Sequence, residues 1–135
     1  MHAPEIGRSG GWNPVPEEAH TAHALGNDGV HVVSTPHLIG FLEMACHYNI
    51  VKLLAEGEAT VGTRVEVEHV GAALPGRQLE CVSRVEAFDG RKMLFSVRAT
   101  QDGREIMRGR HERALVQLER FLDKLEQATG ARVRG

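Results

Sequence analysis

The sequence predicts an α+β fold in which one long helix packs on an antiparallel sheet. Two stretches carry that expectation. Residues 34–57, STPHLIGFLEMACHYNIVKLLAEG, form a long, largely apolar run between a Ser-Thr-Pro start and a glycine. From residue 61 to 117, apolar side chains recur at every second position between glycine-bearing turns, the pattern of strands with one covered face. An apolar helix and a one-sided sheet each need cover, and packing one on the other supplies both.

The elements follow in order. Residues 1–14 are rich in Gly, Pro and polar groups and read as a loose end or a short edge strand around Gly11 to Val15. PEEAHTAHAL, from Pro16, has a proline first, acids in the first turn and histidines later, which suits a short helix and its dipole. A turn at Gly26–Gly29 and the β-branched run Val30–Val33 lead into the main helix. Thr35 before Pro36 reads as the start of that helix, because a Thr hydroxyl accepts from an unpaired first-turn N–H and Pro fits the first helical position. Gly57 reads as its end.

Beyond Gly57 the period changes from helical to alternating. Val61, Thr63, Val65, Val67 and His69 alternate with Gly62, Arg64, Glu66 and Glu68, which places His69 on the apolar side of a strand. ALPG at residues 73–76 is a turn, and Leu79 to Ala87 alternate again. The pairs Asp89-Gly90 and Asp102-Gly103 are hairpin signals around the strand from Met93 to Ala99. Residues 104–117 extend as a last strand, so three or four strands read as a meander. LERFLDKLEQA closes the domain as an amphipathic helix before a loose tail at 130–135.

Bulk properties set limits on function. A chain of 135 residues fits a single domain, 1–135, with one real core. A net charge of −2, from 16 basic and 18 acidic residues, gives no field that favours nucleic acid or an anionic membrane. The first residues lack a secretory signal, and the helix is interrupted by Glu43, His47, Asn49 and Lys52, so no span of a bilayer is expected. Cys46 and Cys81 lie in apolar patterns rather than at metal-ligand spacing, which points to reduced thiols and a cytoplasmic location.

Within the main helix, Glu43 shares a face with Ile39, Cys46, Ile50 and Leu53, flanked by Leu38, Leu42, Ala45 and Leu54. A carboxylate there is costly unless paired or protonated, and it calls for a partner. A helix apolar around most of its girth also needs more cover than one sheet face, so a twofold homodimer, able to pair into a tetramer, is expected. His20 and His23 have helical spacing, but no third ligand accompanies them, and no metal or other cofactor is expected.

TPHLIGFLEMAC (35–46), TVGTRVEVEHVGAALPG (60–76) and GRHERALVQLERF (109–121) together resemble the thioesterases related to fluoroacetyl-CoA thioesterase, over roughly residues 30 to 125. The resemblance implies a hotdog fold, a dimer with active sites at the subunit interface and an acyl-CoA substrate, with coenzyme A entering only as part of that substrate. It places the catalytic residues on Thr35, Glu43 and His69. It also places a glycine near the substrate carbonyl on Gly62, and matches His111, Glu112 and Arg113, with Arg113 a substrate contact. The fluoroacetyl-specific pattern has phenylalanines just before the catalytic Thr, where this chain has GNDGVHVVST. Another short or medium acyl group is therefore expected.

The residue chemistry agrees. Thioester hydrolysis needs a base or nucleophile, a proton carrier and donors for the oxyanion. Glu43 can attack or deprotonate a water, His69 can carry the proton, and Gly62 admits a carbonyl close to the backbone. Thr35 and Glu43 are separated by about 12 Å along one straight helix, so a bent entry, His69 or the second subunit must bridge them. Plainer readings stand beside these roles: Thr35 as a cap, Glu43 in an ion pair with Arg110 or Arg113, His69 as a core histidine, Gly62 as a bulge, and His111 and Arg113 as structural groups. At the level of function the alternatives are a non-catalytic acyl-CoA or small-ligand binding module and an enoyl-CoA hydratase.

Overall fold

The computed structural model of the chain describes residues 1–134. The elements are β1 (Ser9–Trp12), α1 (Thr35–Ile50), β2 (Glu58–His69), β3 (Glu80–Phe88), β4 (Lys92–Gln101), β5 (Arg104–Gln117) and α2 (Leu118–Thr129). The strands form one five-stranded antiparallel sheet in the order β1-β3-β4-β5-β2. Helix α1 lies on one face, where Leu38, Leu42, Ala45, Cys46 and Ile50 meet Val85, Met93, Phe95, Val97 and Met107 in the core. This is the α+β architecture that the sequence predicts.

The sheet order differs from a simple meander. Strands β3, β4 and β5 follow one another, but β2 pairs with β5 and not with β3. Alternation tells which face of a strand is covered; it carries no information about which neighbour the strand takes. The residues at 73–76 therefore belong to a crossing connection, held by Val33 N–H to Ala73 O (2.8 Å) and Gly76 N–H to Pro16 O (2.8 Å), rather than to a hairpin.

The main helix is shorter than expected. Its α-helical part ends at Ile50 and continues as a 3-10 turn, Val51–Leu53, while Gly57, at φ 81°, serves the turn into β2. Its cap is also different, since Ser34 and not Thr35 accepts from the His37 N–H (3.2 Å). The buried stripe is rotated relative to the expected one. It runs through Leu38, Leu42, Ala45, Cys46, Asn49 and Ile50, and Glu43 sits at its margin.

The N-terminal residues are not loose. β1 adds an edge strand to β3, the Met1 ammonium lies 2.9 Å from Glu58 Oε1, and His2 N–H donates to Leu53 O (2.9 Å). Buried Asn49 fastens this segment: its Nδ2 donates to Arg8 O (3.1 Å) and Ser83 Oγ (3.1 Å), and its Oδ1 accepts from Arg8 Nε (3.1 Å). Gly10 passes so near that a Cβ there would lie 2.9 Å from Asn49 Cα, and only glycine fits. The stretch from Pro16 forms one 3-10 turn, Glu18–His20, instead of a longer helix, because Thr21 bridges Val33 and the backbone pairs there. Beyond α2, Arg134 folds back onto Glu119 and Asp123, while the last residue of the tail expected to be loose, Gly135, lies outside the described residues.

Candidate active site

The start of α1 and the end of β2 meet. With Ser34 occupied as the cap, the Thr35 hydroxyl is released from helix duty and lies 2.7 Å from His69 Nδ1. His69 is exposed in the single chain rather than enclosed in the core, although its side chain reaches the helix side of the sheet.

Glu43 faces a different group. Arg113 Nη1 is 3.4 Å from Glu43 Oε2, and the same nitrogen donates to His111 Nε2 at 3.1 Å. Arg113 Nε donates to Thr60 Oγ1 (3.0 Å) and Nη2 to Thr60 O (3.0 Å), so its guanidinium is engaged on every side and buried. The Glu43 side chain keeps 38% of its surface open. Its ion pair with Arg113 is thus real, while one edge of the carboxylate remains available.

The proton on His111 can be placed from its partners. The Arg64 carbonyl, 2.9 Å from Nδ1, can only accept, and the guanidinium can only donate, so Nδ1 carries the hydrogen and Nε2 presents a lone pair. Burial holds the His111 pKa below its ordinary value, and the Arg113 charge adds to that, against the Arg64 carbonyl and Glu43. The 3.7 Å approach of His111 Nε2 to Glu43 is therefore no ion pair; Arg113 mediates between them.

Gly62 completes this cluster. The pairing of β2 with β5 shifts between Gly62 and Arg64, a bulge that interrupts the expected alternation and leaves Gly62 on the same face as Val65, Val67 and His69. A Cβ on Gly62 would lie 2.8 Å from Glu43 Oε2 and 3.0 Å from His111 Cε1. A small recess beside Glu43 is lined by Ile39, Leu42, Val65, Val67, Val97 and His111.

One chain thus carries two separate clusters: Thr35 with His69, and Glu43 with Gly62, Arg113 and His111. Gly62 and His69 are roughly 20 Å apart along β2 at about 3.3 Å per residue. His111 as a neighbour of Glu43 is the residue that sequence reasoning undervalued, and the signal was its place in the inward row Met107, His111, Arg113 of β5. Cys46 and Cys81 are free and buried, with pKa values pushed up to about 12 by burial, and take no part as nucleophiles. Among the described residues no cluster of metal-ligating side chains occurs, and no helix is long and apolar enough to cross a membrane.

A family model described as fluoroacetyl-CoA-specific thioesterase matches residues 16–119. The fluoroacetyl-CoA thioesterase of Streptantibioticus cattleyicolor is 34% identical over 100 residues, covering 74% of this chain and 72% of that protein. A solved structure of a fluoroacetyl-CoA thioesterase superposes with a TM-score of 0.88 at 28% identity, over 94% of this chain and 98% of that one. A thioesterase superfamily member from Thermus thermophilus gives 0.89 at 26% identity, over 96% of each chain.

Proposed function

Because the chain belongs to the fluoroacetyl-CoA-specific thioesterase family, with its hotdog fold, we propose that it hydrolyses a short or medium acyl-CoA to a free acid and CoA at a site shared by two subunits. The observation that carries the reading is the division of the site into two halves on one free-edged strand. β2 ends the sheet, and among the described residues its outer edge has no partner strand. Pairing two β2 edges about a twofold axis halfway between Gly62 and His69 sets His69 of one chain opposite Gly62 and Glu43 of the partner subunit. Each dimer then holds two complete sites.

In that arrangement Glu43 is the base that activates a water, or the nucleophile itself. Arg113, 3.4 Å from Glu43 Oε2, orients that carboxylate and acts on the substrate through it. Thr35 fixes the His69 ring through Nδ1 and turns Nε2 toward the cleft, where it carries the proton to the departing thiolate. Gly62 leaves the thioester carbonyl room to reach the backbone.

The acyl group is set by what precedes Thr35. No phenylalanine stands in residues 22–34; Leu25 and Val30 are exposed there, and His23 and His31 stack with ring centroids 4.1 Å apart. We read this as a pocket open to acyl groups other than fluoroacetyl. We place the enzyme in the cytoplasm as a homodimer. Thiol release from a panel of acyl-CoA substrates tests the reading: turnover of short or medium members supports it, and an intact dimer that turns over none overturns it. CoA binding without thiol release would indicate a binding module, and loss of enoyl absorbance without thiol release a hydratase.

A further inference from the structure

A second polar feature lies beyond the acyl site. Past Arg113 the last residues of β5, the β3–β4 hairpin and the first turns of α2 enclose a groove of about 450 Å³ lined by Arg91, Leu115, Arg120, Phe121 and Lys124. Its three cations are exposed, and none of them has a carboxylate partner among the described residues. Elsewhere many surface cations are paired, as with Arg84 and Glu86 (2.9 Å), Arg98 and Glu105 (3.2 Å), and Arg77 and Asp102 (3.1 Å). Lys52, Arg104 and Arg110, also without a carboxylate partner among the described residues, do not line this groove. Arg120 and Lys124 are one helical turn apart on α2 and project together.

The groove lies at the end of β5 beyond Arg113, where both Leu115 and Val116 line it. Alternate strand residues share a face, so Leu115 continues the row of His111 and Arg113. The Leu115 N–H to Arg91 O bond of 2.8 Å locks the two ends together. From Arg113, Leu115 lies about 7 Å and Gln117 about 13 Å further along the strand. A pantetheine arm has the length of four to five extended residues, about 15 Å.

Resting on the thioesterase reading, we propose that this groove binds the phosphorylated nucleotide end of coenzyme A. Arg91, Arg120 and Lys124 take the diphosphate and the ribose phosphate, and Phe121, 39% exposed, offers its ring to the adenine. The groove thereby holds the substrate by its leaving group and leaves the acyl end to the recess at Glu43.

The test compares two substrates that share an acyl group: the acyl-CoA, and the acyl thioester of N-acetylcysteamine, which has no nucleotide. Exchanging Arg120 and Lys124 together for alanine is expected to raise KM for the acyl-CoA about tenfold, from two phosphate contacts of exposed-pair strength. The KM for the short thioester is expected to stay within about twofold. Arg98→Ala, outside the groove, serves as the control for general loss of positive charge. An unchanged KM for acyl-CoA, or an equal rise for both substrates, overturns the proposal. Calorimetry with adenosine 3′,5′-bisphosphate separates it from the thioesterase reading, since the groove binds this ligand whether or not any thioester is hydrolysed. Binding that is lost in the double variant supports the groove, and binding that is undiminished overturns it.

Discussion

Thr35 Oγ1 and His69 Nδ1 lie 2.7 Å apart, and this contact ties the first turn of α1 to the last residue of β2 across 34 positions of sequence. It exists because Ser34 takes the helix cap and leaves the neighbouring hydroxyl free. If the pair acts as a unit, removing either member costs the same step. Thr35→Val and His69→Asn should each lower kcat by about 10² or more, and the double variant should lose little beyond the worse single one. Losses that simply multiply in a double-mutant cycle would show that the two act separately.

Glu43→Gln keeps the shape of the side chain and removes its charge and basicity. Thiol release should fall about 10²-fold or more, while size-exclusion elution and the circular dichroism spectrum stay those of the parent. A rate within twofold of the parent would strip Glu43 of its role.

Gly62→Ala puts a methyl 2.8 Å from Glu43 Oε2 and 3.0 Å from His111 Cε1. The carboxylate is half-open and can yield, whereas the buried imidazole cannot. Overpacking of this kind costs about 1–3 kcal/mol, and turnover should suffer more than stability because it is the carboxylate that moves. Full activity in this variant would mean that Glu43 needs no fixed position.

Arg113 is held by Thr60, His111 and Glu43 together. Arg113→Met should lower unfolding free energy by about 2 kcal/mol in urea titration, from the lost hydrogen bonds of a charged group. Arg113→Lys should recover little of it, since an ammonium cannot reproduce the planar fork that spans Thr60 and the carboxylate. Full recovery by lysine would reduce Arg113 to a point charge.

Stability should fall on the acid side because of His111. Burial, the largest influence, holds its folded-state pKa below the ordinary 6.5. The folded chain therefore binds fewer protons than the unfolded chain between those two values, and stability rises with pH across that window. Below about pH 6.5 stability is progressively lost. His47, lowered mainly by burial and further by Arg113, acts in the same direction. Midpoints of urea unfolding between pH 7 and 5 should drop less steeply in His111→Gln than in the parent; parallel profiles would remove His111 as the cause.

Sequence reading located the elements better than it located their company. Periodicity located the helix and the strands, and the resemblance of three blocks pointed to Thr35, Glu43, His69, Gly62 and Arg113. It missed the partnership of β2 with β5, because the alternation of a strand fixes its faces and leaves its neighbour undetermined. It assigned the cap to Thr35 because Ser34 and Thr35 are both competent acceptors, and only the backbone angle at Ser34 decides between them. It put Glu43 inside an apolar stripe, where a rotation of the helix by part of a turn places Asn49 instead, matched by Ser83 and Arg8 from elements far away in sequence.

What the chain by itself determined was local: which segments coil, which extend, and which of their faces are apolar. The tertiary structure alone decided that Thr35 meets His69 while Glu43 meets Arg113, and that a bulge turns Gly62 toward the carboxylate. The reason is physical. Short-range preferences act within a few residues, whereas these meetings join groups 34 and 70 positions apart, and burial of a common core is what brings such distant groups together.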